Sequence, residues 1–346
     1  MPSSILNEPT LGEILATAAA TAPFNAEVLE KDLWVVWTLQ TLFEDPALGR
    51  LLGFKGGTSL SKAYGAITRF SEDVDLTVDH RSFGDPLDPL TGPAPSKTQV
   101  RRWRERIESE HLPRFLSDRI LPQLAFAAHA TLDGPRRPTV IVDAADPAKI
   151  HVVYPSVVSR DAYLRESVLL EFGGRMTIEP IDIRAVTSYL QDALPELAAA
   201  YELPAATPQV VHGARTFWEK VTAVHFFVSR REAAARFAGA DRLSRHWYDL
   251  VALRAGQLGA EAVERLDLRD AVIDLKALLF VAADVDYADC RQGRTRLVPA
   301  NELLQALRDD YEAMMAQGMF RSDDPPASFP DLIDRLGALE AEMNSI

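Results

Sequence analysis

The first clear pattern of apolar and polar positions along the chain is helical, and it follows Asn25. Apolar residues recur three and four positions apart, including those at 28, 29, 33, 36 and 37, as in an amphipathic helix. Asn25 is a suitable N-cap, because its side chain can accept a hydrogen bond from the first helical turn. We therefore predict a helix from Asn25 to Phe43. Lys31 and Asp32 could face a cleft, but we favour an exposed intrahelical charge pair.

Runs with strand character come next. Two short runs, 51–55 and 73–78, are separated by a Gly-Gly turn and a short helical stretch. Four more runs are rich in β-branched residues and are bounded by Asp, Pro and Gly; they are 138–143, 150–154, 167–172 and 177–183. Residues 96–130 between them have a helical pattern, in which Pro113 and Pro122 predict breaks. Helical patterns dominate after Arg184.

This order of elements predicts an α/β (α+β) fold in three parts. N-terminal helices occupy 1–50, and a small mixed sheet with an inserted helical and loop segment occupies 51–184. A helical C-terminal part occupies 185–346. The sheet is the part in which we look for chemistry first.

A glycine-containing turn follows the first predicted strand. Gly56 and Gly57 allow backbone N–H groups to approach an anion, because glycine has no Cβ to block the approach. Thr58 and Ser59 then open a helix, and a helix N-terminus favours phosphate. Lys55 borders the turn, and Lys62 lies on the helix, so we predict that this group binds the phosphates of a nucleotide.

Two carboxylates follow on the next predicted strand. Asp73 and Asp75 are two positions apart, so both side chains point to one face of a strand. Neighbouring carboxylates repel each other unless a cation lies between them, and Mg²⁺ (or Mn²⁺) is a suitable cation. A phosphate-binding turn beside metal-binding carboxylates indicates phosphoryl transfer from a nucleoside triphosphate (NTP).

Composition narrows the class of protein. The net charge of −13 argues against a protein that coats nucleic acid non-specifically, because phosphate contacts need clustered cations. The single cysteine, Cys290, excludes an intramolecular disulfide framework and suits a reducing cytoplasm. The N-terminus does not look like a signal peptide, and no apolar stretch reaches about 18 residues, so we expect a cytoplasmic protein without a membrane helix.

One window of the sequence is basic, although the protein as a whole is acidic. It begins at the predicted helix after residue 95 and contains Lys97, Arg101, Arg102, Arg104 and Arg106, with Trp103 among them. Such a window suits an RNA backbone, with the indole stacking on a base. The alternative is a solvated helix face paired with the neighbouring glutamates, and the sequence leaves both open.

The ordered strings Lys-Gly-Gly-Thr-Ser-Leu-Ser-Lys-Ala-Tyr-Gly (55–65) and Arg-Phe-Ser-Glu-Asp-Val-Asp-Leu (69–76) resemble a known family. A Gly-Gly turn followed by an Asp-x-Asp strand is similar to the nucleotidyltransferase superfamily that includes DNA polymerase β. The fuller strings look like the AbiEii/AbiGii toxin family, which includes the MenT toxins. Its third and fourth motifs resemble Thr-Phe-Trp-Glu-Lys (216–220) and Arg-His-Trp-Tyr-Asp-Leu (245–250), and they supply an essential Lys and Asp. Those positions are Lys220 and Asp249 here.

The resemblance implies a polymerase β-type fold and an Mg²⁺-dependent transfer of a nucleotide. Asp73 and Asp75 would hold the metal, and a third carboxylate would come from a later strand. We match it to Glu171, with an ion pair to Arg175 or Arg184 as the alternative, and with Asp182 as a competing position. Lys220 would stabilise charge on the triphosphate, and Asp249 would hold that lysine or act as a base.

The resemblance also implies a toxin of a bacterial toxin–antitoxin or phage-defence system, with an antitoxin protein as partner. The acceptor would be an RNA, and we expect it to be the 3′ end of a tRNA. Nucleotides added there would block aminoacylation and therefore translation. Two alternatives stay open. The acceptor could be a protein or a small molecule, or the chain could be a non-catalytic nucleotide-binding module.

Overall fold

The computed structural model of the protein describes residues 3–90, 95–132, 134–158, 164–230 and 242–346. The chain divides into two compact units. The first contains the residues up to Gly65, Phe70–Val211 and Arg321–Asp323; the second contains Ala66–Arg69, His212–Phe320 and Asp324–Ile346. The N-terminal helices thus belong to the same unit as the strands.

The strands of the first unit are short. In chain order they are β1 (Ser3–Ser4), β2 (Leu52–Lys55), β3 (Val74–Asp79), β4 (Thr139–Val142), β5 (Lys149–Val153), β6 (Ser167–Met176), β7 (Ile181–Ile183), β8 (Val186–Thr187), β9 (Tyr201–Glu202), β10 (Ala205–Ala206) and β11 (Gln209–Val211).

One seven-stranded mixed sheet, in the order β4-β5-β6-β3-β2-β11-β7, organises this unit. The pairs β3–β6 and β2–β11 are parallel, and the other neighbours are antiparallel. Two-stranded pairs, β1 with β9 and β8 with β10, lie outside it. The small mixed sheet predicted from the sequence is confirmed, and β3, which carries the predicted carboxylates, lies at its centre.

Helices complete the first unit. They are Leu11–Ala19, Ala26–Phe43, Pro46–Gly49, Gly56–Lys62, Lys97–Arg106, Leu112–Phe115, Leu121–Thr131, Tyr189–Ala193 and Leu197–Ala200, with 3₁₀ turns at Ile5–Asn7, His80–Phe83 and Gly134–Arg136. Across the described residues, no helix combines the length and apolar character needed to cross a membrane.

The helix Ala26–Phe43 begins where its N-cap predicts. The Asn25 side chain accepts a hydrogen bond from the Val28 N–H at 2.9 Å. However, the helix is buried on every side over its middle turns, and Lys31 and Asp32 are 1% and 0% exposed. The prediction of an exposed intrahelical charge pair is therefore wrong: each of these residues pairs with a side chain from another part of the unit.

The helical segment that begins at the N-cap Ser96 runs on to Thr131 without a break. Pro113 and Pro122 each lie at the start of an α-helical stretch that follows a π-helical turn, at Ile107–His111 and Leu116–Ile120 respectively. A proline lacks the N–H that a regular helix interior would use, and the wider turn before it changes the hydrogen-bond pattern at that point. The predicted breaks are therefore π turns within one helical segment.

The second unit is helical. Its helices are Gly213–Ser229, Ser244–Ala255, Gln257–Glu264, Leu266–Leu279, Asn301–Ala316 and Phe329–Met343, with a 3₁₀ turn at Tyr287–Arg291. Two buried tryptophans, Trp218 and Trp247, donate their indole N–H groups to the backbone carbonyls of Ala262 (2.8 Å) and Leu297 (2.9 Å). These bonds satisfy the polar ends of two large core side chains.

Candidate active site

The Gly-Gly turn joins β2 to the helix Gly56–Lys62 in the first unit. Gly56 has a φ of +77°, a backbone conformation that suits glycine. A Cβ placed on Gly56 would overlap the carboxylate of Asp75 on β3. The turn and the carboxylate therefore share one volume, and glycine at this position is what allows the acidic side chain to lie against the backbone.

The hydroxyl groups of the turn are used inside the protein. Thr58 is fully buried and donates to the backbone carbonyls of Ser71 (3.1 Å) and Asp73. Ser59 is also buried and donates to the carbonyl of Gly56 at 2.9 Å. Thr58 thus ties the helix to the segment that leads into β3, and the part of the turn left for a phosphate is its backbone.

Asp75 lies on β3, and Asp73 immediately precedes its first residue, Val74. Both are half-buried, whereas Val74 and Leu76 are fully buried. This alternation matches the period of two in a strand, so the apolar side chains enter the core and the carboxylates lie on the opposite face.

A row of four charged residues crosses the sheet at Asp75. Strand register places Lys55 of β2 opposite Asp75, Asp75 opposite Glu171 of β6, and Glu171 opposite Lys149 of β5. Neighbouring strands lie about 4.7–4.9 Å apart, so residues in register on them are close neighbours. We call Lys55, Asp75, Glu171 and Lys149 the cross-strand row; it has two carboxylates in the middle and a lysine at each end.

Glu171 is the acidic residue on the strand next to Asp75, but it makes an ion pair that the sequence did not indicate. Its carboxylate lies 2.5 Å from the Lys149 ammonium. The two arginines considered as partners are engaged elsewhere: Arg175 with Glu108 at 2.9 Å, and Arg184 with Asp182 at 3.2 Å. An ion pair therefore exists, with a different partner from either arginine.

Asp182 lies too far along the sheet to complete the carboxylate pair. It is on β7, three strands from β3, which corresponds to about 14 Å at the usual strand spacing. Its carboxylate accepts a hydrogen bond from the Tyr64 hydroxyl at 2.8 Å. Register therefore favours Glu171 over Asp182 as the third carboxylate.

The residues present fit a divalent cation through two carboxylates. Asp73 and Asp75 supply the hard oxygen ligands that Mg²⁺ prefers, and the missing Cβ of Gly56 is what makes room for one of them. In the described part of the chain, no three or more His, Cys, Asp or Glu side chains form a group that could hold a metal. The predicted set of three carboxylates is thus not assembled here, and Glu171 as a ligand stays a prediction.

The buried helix Ala26–Phe43 makes ion pairs with two parts of this site, the segment before Asp73 and the helix after the Gly-Gly turn. The Lys31 ammonium binds the carboxylate of Glu72, which precedes Asp73, and also donates to the Arg165 carbonyl at 3.2 Å. Its neighbour Asp32 binds the ammonium of Lys62 at 2.7 Å.

Asp32 also accepts a hydrogen bond from the backbone N–H of Tyr189 at 2.6 Å, and the Lys62 ammonium lies 3.4 Å from the centre of the Tyr189 ring. The Lys62 side chain is only 3% exposed. In this conformation Lys62 stabilises the helix that follows the turn, and its ammonium is not presented to a nucleotide.

Lys220 and Asp249 meet within the second unit. The Lys220 ammonium lies 2.7 Å from Oδ2 of Asp249, and both side chains are buried. Arg69 donates to the same carboxylate from Nε (2.6 Å) and Nη2 (2.8 Å). Burial alone would raise the pKa of Asp249, but the charges of Arg69 and Lys220 hold it well below its usual value. A carboxylate bound by two cations and closed to solvent is suited to positioning Lys220, not to accepting a proton.

The basic window presents some of its charges but not its aromatic ring. Arg101 and Arg102 are exposed, with Arg101 3.8 Å from Glu105, and Arg104 is half-buried. Trp103, however, is 0% exposed and packs in the core with its ring 6.0 Å from that of His80. The prediction that Trp103 stacks on an RNA base is therefore wrong, because the amphipathic helix turns this residue inwards.

Several residues of the site were not singled out from the sequence. Arg69 lies within the quoted Arg-Phe-Ser-Glu-Asp-Val-Asp string and was passed over. Glu72 and Lys149 show no local pattern that marks them, because each has its partner at least 20 residues away.

The sequence matches one protein family over most of its length. Residues 37–335 match the family described as nucleotidyl transferase AbiEii toxin, type IV toxin–antitoxin (TA) system. No curated protein matches the chain. Among solved structures, MenT4, a nucleotidyltransferase toxin from Mycobacterium tuberculosis H37Rv, is 19% identical with a TM-score of 0.46. That match covers 96% of this chain and 89% of the MenT4 chain.

Proposed function

Since the chain belongs to the AbiEii family of type IV toxin–antitoxin nucleotidyltransferases, we propose that it transfers a nucleoside monophosphate from an NTP to an RNA acceptor. The acceptor that we propose is the 3′ end of a tRNA, where an added nucleotide prevents aminoacylation and stops translation. The observation that carries the catalytic part of this proposal is the contact between the Gly56 turn and the Asp75 carboxylate.

In the proposed reaction, the backbone N–H groups of Gly56 and Gly57 bind the β- and γ-phosphates of the NTP. Asp73 and Asp75, with Glu171, hold Mg²⁺ or Mn²⁺. When bound, this ion stabilises negative charge on the phosphates as a Lewis acid. One carboxylate of the pair takes the proton of the acceptor hydroxyl, whose oxygen attacks the α-phosphorus, and pyrophosphate leaves.

Residues around the turn are assigned roles in the proposed reaction from their positions. Lys55 lies opposite Asp75 in the cross-strand row, which makes it the lysine better placed for the phosphates. Through their buried bonds, Thr58 ties the turn to the segment that leads into β3, and Lys62 ties the helix after the turn to the helix Ala26–Phe43. From the family motifs we assign Lys220 to stabilising charge on the triphosphate, with Asp249 and Arg69 holding it in place.

We propose that the protein acts in the cytoplasm, where an antitoxin from the same system restrains it. An acidic protein that takes RNA as substrate must bind it locally, because its overall charge of −13 repels phosphates. The exposed Arg101 and Arg102, with Arg104, are the residues that we assign to this contact.

The test is a transfer assay with labelled NTPs, in which RNA, protein and small molecules are separated after the reaction. We expect label in the RNA pool, at tRNA 3′ ends, and only with Mg²⁺ or Mn²⁺. Asp75→Asn is expected to lose transfer by at least about 100-fold. Asp118→Asn, the same chemical change at an exposed carboxylate, should transfer like the wild type.

Two outcomes would contradict this proposal. Label confined to protein or small molecules would replace the RNA acceptor with one of the two alternative acceptors. Equal transfer by the wild type and Asp75→Asn would show that the carboxylate pair is not catalytic, and would favour a nucleotide-binding module.

A further inference from the structure

The cross-strand row brings two carboxylates close together. Asp75 and Glu171 are in register on the neighbouring parallel strands β3 and β6, and like charges that close disfavour each other's ionised form. Each carboxylate also has a lysine opposite it on its other side, Lys55 for Asp75 and Lys149 for Glu171. The row thus carries its own counter-charges at both ends.

Lys149 is the lysine whose contact is direct. Its ammonium lies 2.5 Å from Oε1 of Glu171, and the two side chains are 36% and 31% exposed. An ion pair at this exposure is weak, because water competes for both charges. The Lys149 ammonium can therefore be displaced from Glu171 by an ion that binds the carboxylate more strongly.

We propose that Lys149 is a resident counter-ion that occupies Glu171 and competes with the divalent cation for it. The lysine neutralises Glu171 beside Asp75 when no ion is bound, and it lowers the affinity of the carboxylates for a free divalent ion. This inference rests on the proposed function, since it takes the carboxylates to be a metal site. It makes Lys149 a positioning residue that acts through Glu171.

The experiment is a titration of the full-length protein with Mn²⁺ in the absence of nucleotide, with free Mn²⁺ followed by electron paramagnetic resonance. The variants are Lys149→Met, Lys149→Arg, Glu171→Gln and the double variant Lys149→Met/Glu171→Gln. Lys276→Met on the helix Leu266–Leu279 of the second unit makes the same change in net charge far along the sequence and serves as the matched control. Circular dichroism confirms that each variant is folded.

We expect Lys149→Met to bind Mn²⁺ about 2–5-fold more tightly than the wild type, because a competing charge is removed. Lys149→Arg keeps the charge and should bind like the wild type, as should Lys276→Met. In the Glu171→Gln background the gain from Lys149→Met should disappear, since the two residues act as a pair.

Two results overturn the proposal while leaving the metal site itself intact. The first is an unchanged or weaker affinity in Lys149→Met. The second is an equal gain with and without Glu171, which would mean that the lysine acts only through its general charge. Mn²⁺ binding that is unaffected by Asp75→Asn is a different result: it would remove the proposed metal site, and the competition with it.

Discussion

Replacing Asp249 with Asn separates a structural role for this carboxylate from a chemical one. Asn keeps the shape of the side chain but removes the charge that Arg69 and Lys220 share. Both cations are at most 9% exposed in their side chains, so each would lose a buried counter-charge. Removing one partner of a buried ion pair costs about 3–5 kcal/mol.

Lys220→Met provides the comparison. Asp249 would keep both of its bonds to Arg69, and the cost of burying an ammonium would disappear with the lysine. We therefore expect Lys220→Met to change the free energy of unfolding by about 1 kcal/mol or less. Both variants should lose nucleotide transfer, by about 100–1000-fold for Lys220→Met if this ammonium stabilises the transition state.

The assay is thermal unfolding of the full chain, followed by circular dichroism near neutral pH, together with the transfer assay. For a chain of 346 residues, a loss of 3–5 kcal/mol corresponds to a fall in melting temperature of about 4–7 °C. We expect this fall for Asp249→Asn and not for Lys220→Met. If Asp249→Asn melts at the wild-type temperature but transfers no nucleotide, the reasoning is refuted and Asp249 has a direct chemical role.

The same carboxylate predicts an acid-dependent loss of stability. The two cations hold the pKa of folded Asp249 below its value of about 3.9 in an unfolded chain, so the folded protein binds this proton less readily. The stabilisation is complete above about pH 4 and is lost as the pH falls towards the folded-state pKa. Melting temperatures below pH 4 should therefore converge between the wild type and Asp249→Asn.

Three further predictions concern other parts of the chain. Gly56→Ala should abolish transfer, because its Cβ would overlap the Asp75 carboxylate. Gly65 also has a positive φ, but the space around its Cβ position is open, so Gly65→Ala should retain transfer. Equal losses of transfer in both variants would refute the steric argument. Trp103→Ala should destabilise the protein by about 3–5 kcal/mol in urea unfolding, as for a core aromatic residue; reduced RNA binding at unchanged stability would contradict this. Burial raises the pKa of Cys290 to about 12, so the native thiol should resist iodoacetamide at pH 8 and react only after denaturation, as mass spectrometry would show.

The sequence predicts the centre of the first unit, because its signals there are local, but it assigns β11 of the sheet to the helical C-terminal part. The N-cap at Asn25, the Gly-Gly turn and the alternating carboxylates of β3 each depend on neighbouring residues, and the structure places all three as expected. Trp103 was misassigned for the same reason. Its charged neighbours dominate the local composition, whereas its orientation depends on which face of a helix the rest of the unit covers.

The buried charges could not be predicted in this way. Lys31 and Asp32 are adjacent in the sequence, which suggests a pair on one helix surface, yet their partners are Glu72 and Lys62. Only the packing of the helix between the turn and the carboxylate strand removes them from water and gives each a distant partner. Arg69 was missed similarly, because its bond to Asp249 spans 180 residues.

The position of the buried helix also defines the smallest fragment that can be active. The family match begins at residue 37, which lies within the helix Ala26–Phe43. A recombinant fragment cut at that point would retain every candidate ligand of nucleotide and metal. It would nevertheless lack Lys31 and Asp32, so that Glu72 and Lys62 would each lose a buried ion-pair partner beside the site. The boundary of the catalytic domain is therefore set by ion pairs upstream of the recognisable sequence, and it should be drawn before Asn25.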